Sequence, residues 1–199
     1  MKGYGTSMQK IYKYNNRNEY FDHQLKKTLK QDVIDNHKEK WDIRVDRFIN
    51  QFKDLDLPND SKILCVASRY GEEVKAFRML GHNCLGIDLI DWEPYTIKMD
   101  MHNMIFGDCK FDIVYTNAID HSWNIKNAIR ELFRVVKNNG IVIIEIEFNN
   151  PGEYETVVFS TIDDITNKID NIKYDLKVVT HKGESTHLWN TLIFSEVIK

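Results

Sequence analysis

Cysteine occurs three times in 199 residues, as Cys65, Cys84 and Cys109, too few and too irregularly spaced for a disulfide scaffold or a C-x-x-C metal or redox motif. Reduced thiols are expected. No apolar run approaches the roughly 20 residues that span a bilayer, and Met1-Lys2-Gly3-Tyr4-Gly5 lacks the apolar stretch of a secretory leader. A cytoplasmic protein without membrane partners is the expectation. Neither charge dominates: 27 basic residues nearly balance 30 acidic ones, for a formal charge of -3, so no long-range field draws the whole surface to nucleic acid. His82, His102, His181 and His187 show no H-E-x-x-H or Cys-His spacing, and no metal site is expected. With 42% hydrophobic and 29% charged residues, the chain is not disordered and can bury a sizeable core.

The first 57 residues lack proline and are rich in Lys, Asn, Asp and aromatics; Pro58 ends them. Phe21, Leu25, Leu29 and Val33 recur every four residues, and Trp41, Val45, Phe48, Ile49 and Phe52 also keep helical spacing, so two amphipathic helices are predicted. Residues 1–57 thus read as a helical extension or lid and 58–199 as the main domain. His23, Gln24 and Lys27 read as a solvated helix face, and Trp41 and Phe48 as core anchors.

From Lys62 onward short apolar runs alternate with helical stretches, the pattern of an α/β fold. Ile63 to Ala67 has no polar face, as expected of a strand covered on both sides. A helix over Glu72 to Leu80 stops at Gly81. Further strands are predicted at Cys84 to Asp88, Tyr95 to Met99 and Phe111 to Thr116. A helix over Ile125 to Val136 is followed by a turn, Lys137-Asn138-Asn139-Gly140, and a strand from Ile141 to Ile146. Ser160 to Asp164 looks like a helix start, and Tyr174 to Thr180 and Leu188 to Ile198 read as two final strands.

A strand, a tight turn of small residues, a helix and a second strand ending in an acid describe the nucleotide-binding half of a doubly wound sheet. Here the turn is Ala67-Ser68-Arg69-Tyr70-Gly71, and Asp88 follows Gly71 by 17 residues. Small residues let backbone approach a ligand, and a carboxylate can accept from both ribose hydroxyls. Asp88 can also be read as a turn acid capping the next segment.

In these motifs the chain resembles the class I S-adenosylmethionine-dependent methyltransferases, from about Lys62 to the C-terminus. Ile63 to Gly71 stands at the family's glycine-rich motif, Asp88 at its ribose-binding acid, and Asp100-Met101-His102-Asn103 at the acid and amides around adenine. Phe111 to Asn117 resembles the fourth-strand motif, and Ala128 to Gly140 the helix and glycine before strand five. The resemblance implies a Rossmann-like sheet of seven strands, mostly parallel, with an antiparallel last strand and N-terminal helices. It implies S-adenosylmethionine as cofactor and Ala67, Ser68, Arg69, Gly71, Asp88, Leu89, Asp100, Met101 and Asn117 as its binding residues. The segment Tyr20 to Thr28 and the run Arg69 to Val74 also look like a methyltransferase-like subgroup with a divergent first motif.

Departures from the family lie in that first motif. Cys65 stands where the family has an acid, and Ala67 and Arg69 where it has glycines, so only Gly71 is retained. Arg69 either blocks backbone approach or points outward to pair with the ligand's methionine carboxylate. An inactive methyltransferase-like binding module is therefore the alternative to an enzyme. At the end of the fourth strand Asp120 and His121 are the candidate catalytic pair, with helix capping and a hydrogen bond as the plain reading. Asn117-Ala118-Ile119-Asp120 lacks the paired prolines of DNA amino-methyltransferases, which disfavours nucleic acid. A small-molecule or short end-group acceptor remains.

Overall fold

The structure, a computed structural model, describes residues 13–149, 154–182 and 188–199, without the side chains of Lys182 and Leu188. Met1 to Gly5 and His187 lie outside the described residues. Three helices come first, α1 (Arg17–Thr28), α2 (Gln31–Glu39) and α3 (Trp41–Phe52). Then follow β1 (Lys62–Val66), α4 (Glu72–Met79), β2 (Asn83–Asp88), β3 (Thr96–Lys98) and β4 (Phe111–Thr116). A 3-10 turn (Ile119–His121) leads to α5 (Ile125–Val135), β5 (Val136–Glu147), α6 (Asp163–Thr166), β6 (Lys173–Lys182) and β7 (Leu188–Ile198). The seven strands form one sheet in the order β3-β2-β1-β4-β5-β7-β6. The first five are parallel, and β7 runs antiparallel between β5 and β6, the predicted closing hairpin.

Strand residues point alternately to opposite faces, and both faces here are apolar because helices cover both. Ile63, Cys65, Ile113, Tyr115 and Ile143 pack under α3 and α4 with Phe48, Phe52 and Phe77. The Phe52 and Phe77 rings stack at 4.0 Å, which builds α3 into the sheet's own core. Leu64, Val66, Val114 and Ile144 face the other way, against Ala128, Ile129, Leu132 and Phe133 of α5.

Three N-terminal helices replace the two predicted. The chain breaks at Leu29, which is 52% exposed, so the four-residue stripe does not continue into Val33 on one helix. The buried side of α1 is instead Tyr20, Gln24 and Thr28. A partly polar helix face is buried there because it covers a polar cleft. The Tyr70 hydroxyl donates to the Thr28 carbonyl at 2.5 Å and ties the end of α1 to the loop after β1.

The predicted turn over Lys137 to Gly140 lies inside β5. The pairing with β4 shifts register between Phe111 and Ile113, opposite Val136 and Ile141, and Asn139 takes a left-handed φ of 59°. A bulge absorbs the turn residues while both sides stay on one strand.

One carboxyl sits inside the core under α3. Glu145 accepts from the Tyr115 hydroxyl at 2.8 Å, the Thr191 hydroxyl at 3.2 Å and the Gln51 amide. Burial pushes its pKa up to about 7, against the hydrogen bonds that favour the carboxylate. The folded state therefore holds a proton that the unfolded chain loses near pH 4.5. Stability from this group is full below that value and falls as pH rises to about 7, by on the order of 3 kcal/mol. Urea unfolding between about pH 5 and pH 8 should show this decline, and Glu145→Gln should flatten it. An unchanged slope in the variant would show that Glu145 is not the titrating group.

Candidate functional site

In the sheet order β2 and β4 flank β1, so the chain leaves β1 in opposite directions, and a crevice opens beyond the carboxyl ends of these strands. A cleft lies there. Its floor is Ala67 and Arg69 after β1, Asp88 and Leu89 after β2, and Asp100 and Met101 after β3. Ala118 and His121 close the β4 end, and Tyr20, Gln24, Lys27 and Thr28 of α1 form the roof.

The loop after β1 keeps a glycine-loop backbone almost without glycine. Ala67, Arg69 and Gly71 have left-handed φ of 60°, 47° and 89°, alternating with Ser68 and Tyr70, which do not. Ser68 N–H donates to the Ile87 carbonyl at 3.0 Å and Gly71 N–H to the Ser68 carbonyl at 2.7 Å, which pins the turn onto β2. Left-handed backbone costs a residue with a β-carbon about 1–2 kcal/mol. Ala67→Gly removes that cost and adds about 0.5–1 kcal/mol of backbone entropy loss, for a net gain of up to about 1 kcal/mol. A thermal melt should rise by roughly 2–4 °C, and a fall would show that the alanine methyl packs more than it strains.

Gly71 does not line the cleft. A β-carbon built on it would stand 2.4 Å from Cβ of Tyr95 and 3.1 Å from Oγ1 of Thr96, so its role is close packing of the turn against the start of β3. Ser68 likewise faces a second chamber rather than the cleft, with its hydroxyl 2.9 Å from that of Thr96. The long side chain of Arg69 does not fill the cleft floor. Its guanidinium donates to Nε2 of His37 at 3.2 Å, on α2.

Asp88 is held by backbone alone. Arg69 N–H donates to Oδ2 at 2.9 Å and Leu89 N–H to Oδ1 at 2.7 Å, the Ile90 N–H also reaches the carboxylate, and Asp88 lines the cleft. Burial pushes its pKa up, against those hydrogen bonds and the Arg69 charge. The carboxylate thus anchors the first loop as well as lining the cleft.

Asp100 does two things. It closes a turn by accepting from His102 N–H at 3.0 Å, and it pairs with His102 Nδ1 at 2.7 Å and the Arg17 guanidinium at 2.5 Å. These bonds override its burial and hold the pKa down near about 2. Both of its readings are thus present, a turn acid and a cleft wall, joined to α1 by Arg17.

The β4 end separates the two candidate catalytic residues. His121 lines the cleft, and because a carbonyl only accepts, its Nδ1 carries the proton donated to the Tyr154 carbonyl at 3.1 Å. Nε2 is left as an acceptor. Burial, then the Lys27 charge, push its pKa down to about 3, so the ring stays neutral near pH 7. Asp120 is outside the cleft wall. Its carbonyl takes Thr156 N–H at 2.9 Å and Val157 N–H at 3.2 Å, and burial beside Glu155 pushes its carboxyl up to about 7. Asp120 holds the following loop, and the helix cap on α5 is Asn124, which accepts from Asn127 N–H at 3.1 Å.

The polar face of the roof differs from its sequence reading as a solvated helix face. Gln24 is buried and donates to the Tyr14 hydroxyl at 3.2 Å and the Tyr154 carbonyl at 3.3 Å, not solvated as expected. Lys27 sits 4.2 Å above the Tyr154 ring, and burial, then Arg69, push its pKa down to about 8. The signal was present as the i, i+4, i+8 spacing of Tyr20, Gln24 and Thr28. It was hidden because the neighbouring apolar stripe dominates the periodicity. Among the described residues no group of three or more His, Cys, Asp or Glu residues is placed to hold a metal ion, and no helix is long and apolar enough to cross a membrane.

This strand order, with a small-residue loop and a strand-end acid at the β1 and β2 ends, defines a Rossmann-like protein of the seven-stranded type. Residues 64–144 match the family described as methyltransferase domain. That match covers 81 of the 199 residues, and over this stretch the chain is similar to a methyltransferase domain. No curated protein matches the sequence. Among solved structures it is similar to the Burkholderia thailandensis 1,6-didemethyltoxoflavin-N1-methyltransferase with bound 1,6-didemethyltoxoflavin and S-adenosylhomocysteine. That likeness has a TM-score of 0.63 at 10% identity and covers 87% of this chain and 89% of that one. A Haloferax volcanii putative methyltransferase in complex with the Trm112 activator matches at TM-score 0.62 and 9% identity, over 92% and 99% of the two chains. The cyclase SpnF matches at TM-score 0.57 and 12% identity, over 76% and 80%. These identities speak to fold alone, and one fold serves more than one chemistry here.

Proposed function

We propose that this protein is an S-adenosylmethionine-dependent methyltransferase acting on a small-molecule acceptor. The observation that carries the reading is Asp88, whose carboxylate lines the cleft at the end of β2, held by the backbone N–H groups of Arg69, Leu89 and Ile90, where a ribose diol needs an acceptor. Leu89 and Met101 offer apolar walls for a planar base, and the left-handed Ala67 brings backbone to the ligand without a large side chain. Bound there, S-adenosylmethionine supplies an electrophilic methyl group.

The protein's own groups then align the acceptor. His121, neutral and with Nε2 unprotonated, accepts a hydrogen bond from an acceptor N–H or O–H and orients it, which methyl transfer chiefly requires. With a pKa pushed so low, it does not store the proton. Lys27 is the cleft group whose pKa, about 8, lets it exchange a proton near neutrality. The α1 helix serves as a lid, latched by Arg17 on Asp100, and must loosen for ligand to enter. Near-balanced charge favours a small acceptor over a polynucleotide, the thiols of Cys65 and Cys84 stay unbonded with sulfurs 3.5 Å apart, and a cytoplasmic setting fits both.

Isothermal titration calorimetry with S-adenosylmethionine and S-adenosylhomocysteine should show one site for each. No heat and no thermal stabilisation by either at millimolar concentration would overturn the reading. Stabilisation by NAD instead would reassign the cleft.

A further inference from the structure

A second pocket, walled by aromatic side chains, lies outside the cleft and shares no residue with it. The end of α2 supplies His37, the start of α3 Trp41, the loop after β1 Tyr70, and the segment between β2 and β3 Trp92 and Tyr95. The His37 and Tyr70 rings stand 4.5 Å apart, Tyr70 and Trp92 4.8 Å, and Trp41 and Tyr95 5.1 Å. Their planes meet at 57°, 70° and 40°, so the rings wall a space rather than stack flat and close it. Trp41 packs against the core, as expected of an anchor, and lines this pocket as well.

The walls are electron-rich and hold almost no cation of their own. Arg78 reaches over Tyr95 at 5.4 Å, but no arginine or lysine of the described residues stands over Trp41, Tyr70 or Trp92. Burial pushes the pKa of His37 down, which keeps that ring neutral near pH 7. On the rim Asp42 is exposed and makes no hydrogen bond or ion pair among the described residues. Lys38, four residues earlier on the same rim, does not pair with it. Aromatic faces and a free carboxylate together select a cation. Which cation follows from what the pocket lacks. A primary ammonium brings three N–H donors and a metal ion needs several oxygen ligands, whereas the pocket holds one carboxylate. A trimethylammonium group has no N–H to satisfy, and its methyl groups present apolar surface that the rings can cover.

We propose that this pocket binds the trimethylammonium group of a small molecule, enclosed by Trp41, Tyr70, Trp92 and Tyr95 and balanced by Asp42. Lys38 suits a ligand that also carries a carboxylate, so glycine betaine is expected to bind more tightly than choline. The site is separate from the cleft, and the inference does not rest on the methyl-transfer reading.

The test is a ligand-observed NMR titration with glycine betaine and choline, whose equivalent methyl protons give a sharp signal, and with 3,3-dimethylbutan-1-ol, the uncharged isostere of choline. Wild type is expected to bind both cations in the millimolar range or tighter, and the isostere at least about 10-fold more weakly. Trp92→Leu should weaken both cations roughly 10-fold and Asp42→Asn roughly 3-fold, while Lys38→Gln should weaken glycine betaine alone. Absence of binding by either cation at about 20 mM ligand, or equal binding of choline and its isostere, overturns the proposal. So does cation binding that is unchanged in both Trp92→Leu and Asp42→Asn, or that is lost when S-adenosylhomocysteine fills the cleft. Asp42 is exposed and its replacement removes no packing, so the comparison stands even if Trp92→Leu fails to fold. Should S-adenosylhomocysteine not bind, the function proposed above fails, and the variants alone decide this pocket.

Discussion

Gly71→Ala is expected to lower the melting temperature by roughly 10 °C or more while leaving ligand affinity of the folded protein within about 3-fold of wild type. Gly71 sits at φ 89°, where a β-carbon costs about 1–2 kcal/mol. That carbon would also meet Cβ of Tyr95 at 2.4 Å, an atom fixed to backbone rather than a flexible tip. Moving it displaces the entry to β3, and overpacking of this kind costs a further 1–3 kcal/mol or so. A variant that melts normally but binds weakly would return Gly71 to the ligand contacts where the motif resemblance had placed it.

Asp88→Ala is expected to weaken S-adenosylmethionine and S-adenosylhomocysteine binding by roughly 10- to 100-fold, because the lost carboxylate would make two charge-assisted hydrogen bonds to a ribose. The change also reaches the fold. Arg69 N–H and Leu89 N–H lose their acceptor, which costs about 1–2 kcal/mol if water replaces it imperfectly. Part of this is offset, since the removed carboxylate was itself desolvated. Calorimetry on the folded variant, alongside a urea melt, separates the two effects. Destabilisation with undiminished affinity would make Asp88 a loop anchor only and remove it from the ligand site.

These outcomes bear on how the first motif can lose two glycines without losing its shape. The left-handed φ values at Ala67 and Arg69 show that the strand-to-helix turn dictates the backbone and the residues tolerate it. Arg69 escapes the crowding expected of its length because His37 draws the guanidinium away from the cleft floor.

Sequence alone settled what depends on local periodicity and on chain order. Continuous apolar runs such as Ile63 to Val66 and Ile113 to Tyr115 can only be strands buried on both faces, and their alternation with helices left a doubly wound sheet as the solution. Asp88 was legible because a strand-end acid beyond a tight turn has a fixed place in that topology. Tertiary structure decided whatever depends on which side of an element faces a neighbour. Two such cases are the inward turn of Gln24 and Lys27 on a helix whose apolar stripe looks elsewhere, and the different duties of Asp120 and His121, adjacent in sequence, the first holding the following loop and the second lining the cleft. The meeting of His37, Arg44, Arg69 and Glu73 is a third, since 35 residues lie between the outermost two and only the packing of α2 and α3 against the start of α4 brings their charges into one chamber.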